Sequence, residues 1–171
     1  IMLVTMSSQP LRGVLVVALE QAVAAPLCTC RLADAGARVI KVERRGSGDF
    51  ARHYDKMVNG VDSTYFSWLN RGKESIAVAL DQPEGAELVR QLATKADIFM
   101  CNLLTKRQAK FGLDPQSLFK VNPKLVHATL TGYGTSGPDA WRPGYDVTAF
   151  FGRSGLYDSM REGDDLSLIH I

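Results

Sequence analysis

Residues 18–49 read ALEQAVAAPLCTCRLADAGARVIKVERRGSGD. The aliphatic run at 14–19 that opens into this stretch has the unbroken hydrophobicity of a strand buried on both faces. Pro26 stands where the first turn of a helix tolerates proline. The helix is expected to run to about Ala35, where Gly36 supplies a left-handed stop. Residues 39–42 form the next strand, so the stretch reads as one right-handed βαβ unit. It offers an anion two places. One is the helix start near Ala24, with its unpaired N–H groups. The other is the loop Glu43-Arg44-Arg45-Gly46-Ser47-Gly48-Asp49. In a dinucleotide fold an acid here holds a free ribose hydroxyl, and an arginine accommodates a ribose phosphate. Here Glu43 is followed at once by two arginines, and the turn Gln21-Ala22-Val23-Ala24-Ala25 has no G-x-G-x-x-G fingerprint. Ordinary NAD binding is disfavoured and a ligand with an extra ribose phosphate is favoured. A βαβ unit with a solvated basic loop is an equally good reading of this stretch taken alone.

The rest of the chain keeps the alternation. Residues 50–63 are polar and without period, an excursion with at most a helical turn. A short helix is expected over 65–70, stopped by Arg71-Gly72, and a β-branched strand over 75–80. Asp81 is expected to cap the next helix, with Pro83 in its first turn and an apolar face of Leu88, Val89 and Leu92 reaching Lys95. A strand at 97–101 leads into a short helix ending at Lys110. Asp114-Pro115 starts another helix that runs to 121. A strand at 125–130 precedes the glycine-rich loop 131–138, and a final helix is expected over 145–155. The pattern predicts an α/β fold, a Rossmann-like, mostly parallel sheet with helices on both faces.

The chain has 171 residues, enough for one such domain with a sizeable core. A net charge of +2 is too small to argue for nucleic acid or a membrane surface. No apolar run approaches spanning length. Three cysteines, Cys28, Cys30 and Cys101, are too few and too scattered for a disulfide framework and suggest reduced thiols in a cytoplasmic protein. No metal-ligand spacing, nucleophile elbow or P-loop occurs. Residues 1–10 are expected to be a disordered or non-native extension, with Met6 a candidate start. Residues 166–171, LSLIHI, read as a non-native tail translated from adapter sequence, so His170 is left out of the site. His127 lies in a strand and reads as packing, and His53 has no partner visible in sequence.

Five phrases in order carry a family resemblance: AVAAPLCTCRLADAGARVIKVERRGSGDFAR (22–52), NRGKESIAVALDQPEG (70–85), KADIFMCNL (95–103), NPKLVHATLTGYGTSGP (122–138) and RPGYDVTAFFGRSGL (142–156). Together they resemble the class III CoA-transferases, which include formyl-CoA transferase, carnitine CoA-transferase and the related α-methylacyl-CoA racemases. The resemblance implies that residues 11–165 are the incomplete N-terminal part of a larger domain. It implies coenzyme A as substrate, with no metal, and a full-length parent that is an interlocked homodimer acting on an acyl-CoA and a carboxylic acid. The adenosine of CoA carries a 3′-phosphate, which agrees with the arginine pair.

Open α/β sheets bind ligands at the carboxyl ends of their strands. The resemblance places CoA contacts at such positions: Val23, Ala24, Arg44, Val78, Ala79, Leu80, Asp81, Asn102, Leu104 and Lys110. Arg44 has the clearest physical reason, a guanidinium that grips phosphate bidentately. Lys110 stands where the family often has arginine, keeping the charge and losing the fork. Asn102 serves equally well as a cap of the following turn. By resemblance Tyr145 and Asp146 lie near the reacting centre. In the racemase branch the position of Tyr145 is a proton-moving histidine, so tyrosine speaks for transfer. The family's nucleophilic aspartate lies in a Gly-Asp segment downstream of Asp146, so this stretch alone is expected to be inactive and to expose apolar surface. The alternatives are a racemase or isomerase of the same family and a non-catalytic CoA-binding module.

Overall fold

The structure is a computed structural model that describes residues 9–56, 58, 60 and 63–160. The expected tail at 166–171 and most of the expected extension at 1–10 lie outside these residues. Two compact units are present, Ile1–Leu130 and Thr131–Ile171.

The first unit is built on five parallel strands: β1 (Leu15–Leu19), β2 (Arg38–Arg44), β3 (Lys73–Val78), β4 (Ile98–Cys101) and β5 (Val126–Thr129). Their order across the sheet is β3-β2-β1-β4-β5. The chain thus steps outward from β1 to β3, then returns to β1's other side. Val16 pairs with Val39 on one side and with Ile98 on the other. The sheet is parallel throughout. Helices cover both faces, as the unbroken apolar strands require. Val16 and Ala18 pack with Ala25, Leu32 and Ala33 of α1 (Ala24–Asp34). Val17 and Leu19 point the other way, into a core with Val89 and Ala93 of α3 (Pro83–Lys95) and Leu118 of α5 (Pro115–Val121). The other two α-helices described in this unit are α2 (Thr64–Asn70) and α4 (Thr105–Lys110).

Local chemistry sets the ends of these elements. Gly36 takes φ +99° after α1, with its N–H on Ala33 O and the Ala37 N–H on Leu32 O, a Schellman stop. Asp114 Oδ1 accepts the Ser117 N–H at 3.1 Å, with Pro115 in α5's first turn. His127 packs: its Nε2 lies 3.1 Å from Leu113 O, and its ring lies against Phe99 and Phe119.

Three expectations are corrected. The third strand starts at Lys73, two residues before the expected 75, because the ladder to β2 already begins with Val39 opposite Lys73. The cap of α3 is Gln82, not Asp81, and its side chain makes no capping bond; Pro83 alone presets the first turn. The expected helix over 145–155 is a π-helix over Asp146–Gly152, followed by a separate turn, α6 (Leu156–Ser159). Gly155, at φ +78°, breaks the two apart. In this second unit Gly132 and Gly144 cross so closely that a Cβ on Gly132 would lie 2.5 Å from Gly144 Cα.

Large apolar side chains stand open to solvent. In the first unit these include Tyr54, Tyr65 and Trp68, and Tyr54 contacts Phe50 and Tyr65 edge to face. In the second unit they include Trp141, Val147 and Phe150. Among the described residues no helix is long and apolar enough to cross a membrane.

The start of α3 is wedged against the end of β3. A Cβ on Gly85 would lie 2.1 Å from Ala79 O. Gly85→Ala is expected to lower stability by about 1–3 kcal/mol, because backbone rather than a flexible side chain must move. Urea unfolding of the variant measures this, and an unchanged midpoint would show that the helix start has room.

Candidate functional site

A cleft of about 730 Å³ opens at the carboxyl ends of β1, β2 and β3. Its lining also takes in the segment after β4, so it spans the point between β1 and β4 where the strand order reverses, the position at which open parallel sheets take ligands. The turn after β1 contributes Glu20 and Gln21, the end of β2 contributes Arg44, and the loop after it contributes Arg45, Gly48 and Asp49. Beyond β3 come Val78, Ala79, Leu80, Asp81 and Gln82, while Leu103, Arg107 and Phe111 line it from the β4–α4 side.

The rim is held by a buried polar network. Lys41, in the middle of β2, is 1% exposed. Its ammonium lies 2.8 Å from Asp49 Oδ2 and 3.6 Å from Glu20 Oε1, and donates to Glu20 O at 3.3 Å. Lys73 Nζ donates to Glu20 Oε1 at 2.8 Å, and to Pro26 O and Asn70 Oδ1 at 2.9 Å. Burial pulls the Lys73 pKa below its ordinary value against the opposing pull of Glu20. The Thr29 hydroxyl closes the cage on Glu20 at 2.7 Å.

Asp49 links this cage to the turn after β1. Its Oδ1 accepts the N–H groups of Ala22 at 3.0 Å and Ala51 at 2.9 Å. Ala22 has φ +69°, and among the described residues no other non-glycine has a positive φ. An L-residue pays about 1–2 kcal/mol for that conformation, so the turn that lacks the glycine fingerprint is held by hydrogen bonding instead. Asn102 braces the same turn from β4. Its Oδ1 accepts the Gln21 N–H at 3.0 Å and its Nδ2 donates to Gln21 O at 2.8 Å.

Glu43 is turned inward. It receives Arg52 Nε and Nη2, each at 2.7 Å, Ser75 Oγ at 2.6 Å and the Asp49 N–H at 2.9 Å. Burial pushes its pKa up, and those donors outweigh it and bring the value down to about 2. The Arg52 guanidinium also lies over the Phe66 ring, 3.7 Å from its centroid. A carboxylate so occupied is not free to hold a ribose hydroxyl.

Of the expected contacts, Arg44, Val78, Ala79, Leu80 and Asp81 come together as cleft lining. Val23, Ala24, Asn102, Leu104 and Lys110 are not among the lining residues. Val23 and Ala24 form the exposed start of α1. Leu104 caps α4, and Lys110 ends that helix with its ammonium 5.9 Å from the centroid of the Phe111 ring. Tyr145 and Asp146 belong to the second unit, at the start of its π-helix; the Thr148 hydroxyl accepts the Tyr145 N–H at 3.2 Å. Sequence reasoning passed over Glu20, Lys41, Lys73 and Arg107. The available signal was a lysine inside a strand that had to be buried on both faces, which demands a carboxylate partner.

Burial pushes the Cys101 thiol up to about 12, although the Leu103 N–H points at its sulfur. Among the described residues no group of three or more His, Cys, Asp or Glu side chains could hold a metal ion.

The parallel sheet and its order reversal define an open α/β fold with a cationic cleft at the ends of its strands. Sequence comparison makes this specific: the model of CoA-transferase family III matches residues 11–166, and the chain belongs to that family. It is similar to succinyl-CoA:glutarate CoA-transferase of Mus musculus, at 40% identity over 143 residues, 84% of this chain and 33% of the relative. It is also similar to succinate–glutarate CoA-transferase of Agrobacterium fabrum, at 40% identity over 161 residues, 91% of this chain and 40% of the relative. A crystal structure of Rv3272 from Mycobacterium tuberculosis superposes with a TM-score of 0.83 at 36% identity, covering 95% of this chain and 45% of that one. A CAIB/BAIF family protein from Brucella suis gives 0.79 at 39% identity, covering 95% and 44%. The chain thus spans less than half the length of these relatives.

The Glu43 site fixes a pH dependence. Its carboxylate titrates at about 2 in the fold, against an ordinary 4.5. A depressed carboxylate stabilises the fold above the unfolded value and loses that contribution as pH falls from about 4.5 towards about 2. Urea midpoints are expected to drop across that window. Arg52→Ala, which strands a buried charge, is expected to cost on the order of 3 kcal/mol at neutral pH and to shrink the acid loss, because without the guanidinium the Glu43 value in the fold rises towards that of the unfolded chain. An Arg52→Ala protein with the same acid limb as the original would contradict the pairing.

Proposed function

We propose that the whole protein moves coenzyme A between carboxylic acids, and that the cleft of this chain receives the nucleotide end of CoA. The observation that carries this reading is the pair Arg44 and Arg45, which line the cleft at the tip of β2 and have no ion-pair partner among the described residues. A guanidinium left unpaired beside a cleft suits the 3′-phosphate of the CoA ribose. Val78, Ala79, Leu80 and Asp81 form the wall beside it. Val23, Ala24, Asn102, Leu104 and Lys110 enter the proposal as flanking positions.

The chemistry in this reading is a carboxylate relay. An aspartate in a Gly-Asp segment downstream of Asp146 attacks the thioester carbon of an acyl-CoA. The C–S bond breaks, CoA leaves as thiolate, and a mixed anhydride remains. The thiolate then attacks the aspartyl carbonyl, the donor acid departs as its carboxylate, and an enzyme thioester results. The carboxylate of the acceptor acid runs the same two steps in reverse. Tyr145 and Asp146 lie near the reacting thioester in this proposal. A tyrosine is a poor base near neutral pH, which favours transfer over racemisation. Two relatives at 40% identity are named for succinate and glutarate, so a dicarboxylate pair is the first donor and acceptor to assay. We take the enzyme to be a cytoplasmic homodimer, in keeping with three free thiols.

Titration calorimetry with CoA and with dephospho-CoA tests the carrying observation. The chain is expected to prefer CoA by about tenfold, the value of one good charge-assisted contact, and Arg44→Gln is expected to abolish the preference. Equal affinity of the unaltered chain for the two ligands would remove the reason for assigning Arg44 to the phosphate.

A further inference from the structure

The arginines among the described residues sort into two groups. Arg31, Arg38, Arg52, Arg71, Arg90, Arg142 and Arg153 each have a carboxylate partner. Arg12, Arg44, Arg45 and Arg107 have none among the described residues. Three of those four line the cleft, Arg107 with them. The cleft's own carboxylates do not neutralise them. Glu20 and Asp49 are matched by Lys41 and Lys73, and Glu43 by Arg52. Asp81 alone among the lining acids has no ion pair with a described residue. Three guanidinium charges therefore share the cleft with one unmatched carboxylate.

The three are not in one place. Arg44 and Arg45 follow from β2, whereas Arg107 lies on α4, which follows β4. β1 lies between β2 and β4, so the two supports are two strand spacings apart, roughly 10 Å. One phosphate does not bridge that span. A nucleotide with anionic groups on both sides of its ribose does, and CoA has a phosphate on the 3′ oxygen and a diphosphate on the 5′ oxygen. The helix that carries Arg107 is anchored for the purpose. The neighbouring Gln108 is fully buried, its side-chain Nε2 donating to Leu103 O at 2.6 Å and its backbone carbonyl accepting the Leu113 N–H at 2.9 Å. Arg107, one residue back, is exposed, and of α4's three cations it alone is a lining residue; Lys106 and Lys110 are not.

We propose that Arg107 is a binding residue for the 5′-diphosphate of the nucleotide, opposite the arginine pair that takes the 3′-phosphate. This rests on the CoA reading of the cleft, and ligands that lack one phosphate or the other separate the two claims. Calorimetry of the chain, Arg107→Gln and Arg107→Lys with CoA, dephospho-CoA and adenosine 3′-phosphate tests it, with thermal unfolding alongside. Arg107→Gln is expected to weaken CoA and dephospho-CoA by the same factor, about tenfold. It should leave adenosine 3′-phosphate and the unfolding temperature unchanged, and Arg107→Lys should recover part of the loss. Unaltered CoA affinity in Arg107→Gln overturns the inference while the CoA reading stands. Loss of the preference for CoA over dephospho-CoA in that variant also overturns it, by moving Arg107 to the 3′-phosphate. Failure of the unaltered chain to bind CoA overturns the underlying reading and this inference together.

Discussion

The ammonium of Lys41 holds the site together. It sits inside the sheet, nearly without solvent, between a carboxylate from the turn after β1 and another from the loop after β2. Burying an ion costs several kcal/mol, and a well-formed pair about offsets the cost, so the network adds little net stability over an apolar core. What it supplies is position. Glu20 and Asp49 can approach Lys41 only if both loops lie where they do, and Asp49 in turn fixes the left-handed turn at Ala22. The rim of the cleft is therefore set by the same contacts that neutralise its acids from within the fold.

This division of charge explains why the cleft is cationic in a chain whose net charge is close to zero. The acids next to the site are consumed by Lys41, Lys73 and Arg52 from within the fold. The guanidinium groups of Arg44, Arg45 and Arg107 are left over. A surface of balanced composition can thus present a local field strong enough to recruit an anionic ligand.

Much of the fold was legible in the sequence, because unbroken apolar runs such as LVVAL and IFMC leave few alternatives to buried parallel strands. Gly36, Pro83 and Asp114 marked helix ends by local chemistry alone. Strand β3 was misplaced by two residues because KESIAV is an edge strand with a weak apolar pattern. The last helix was misjudged because the segment buries no side chain that would set a helical period, and the break at Gly155 was read as helix. Among the site residues, Arg44 and 78–81 could be read as strand-end positions. Lys41 could not be given a role until the strand order put Glu20 and Asp49 on either side of it. Arg107 was missed because a six-residue helix shows too little period to say which of its cations turns towards the sheet.

The central place of β1 has a consequence for how the chain is made. One flank of β1 is covered by β2, about twenty residues later, but the other waits for β4, and Val16 meets Ile98 across 82 positions of sequence. At about 5–20 residues per second on the ribosome, the second edge of the nascent strand stays unpaired for roughly 4–16 seconds. The brace from Asn102 to Gln21 comes later still. The rim of the cleft is thus closed late, and during synthesis a bare hydrophobic edge is the hazard that chaperones must cover.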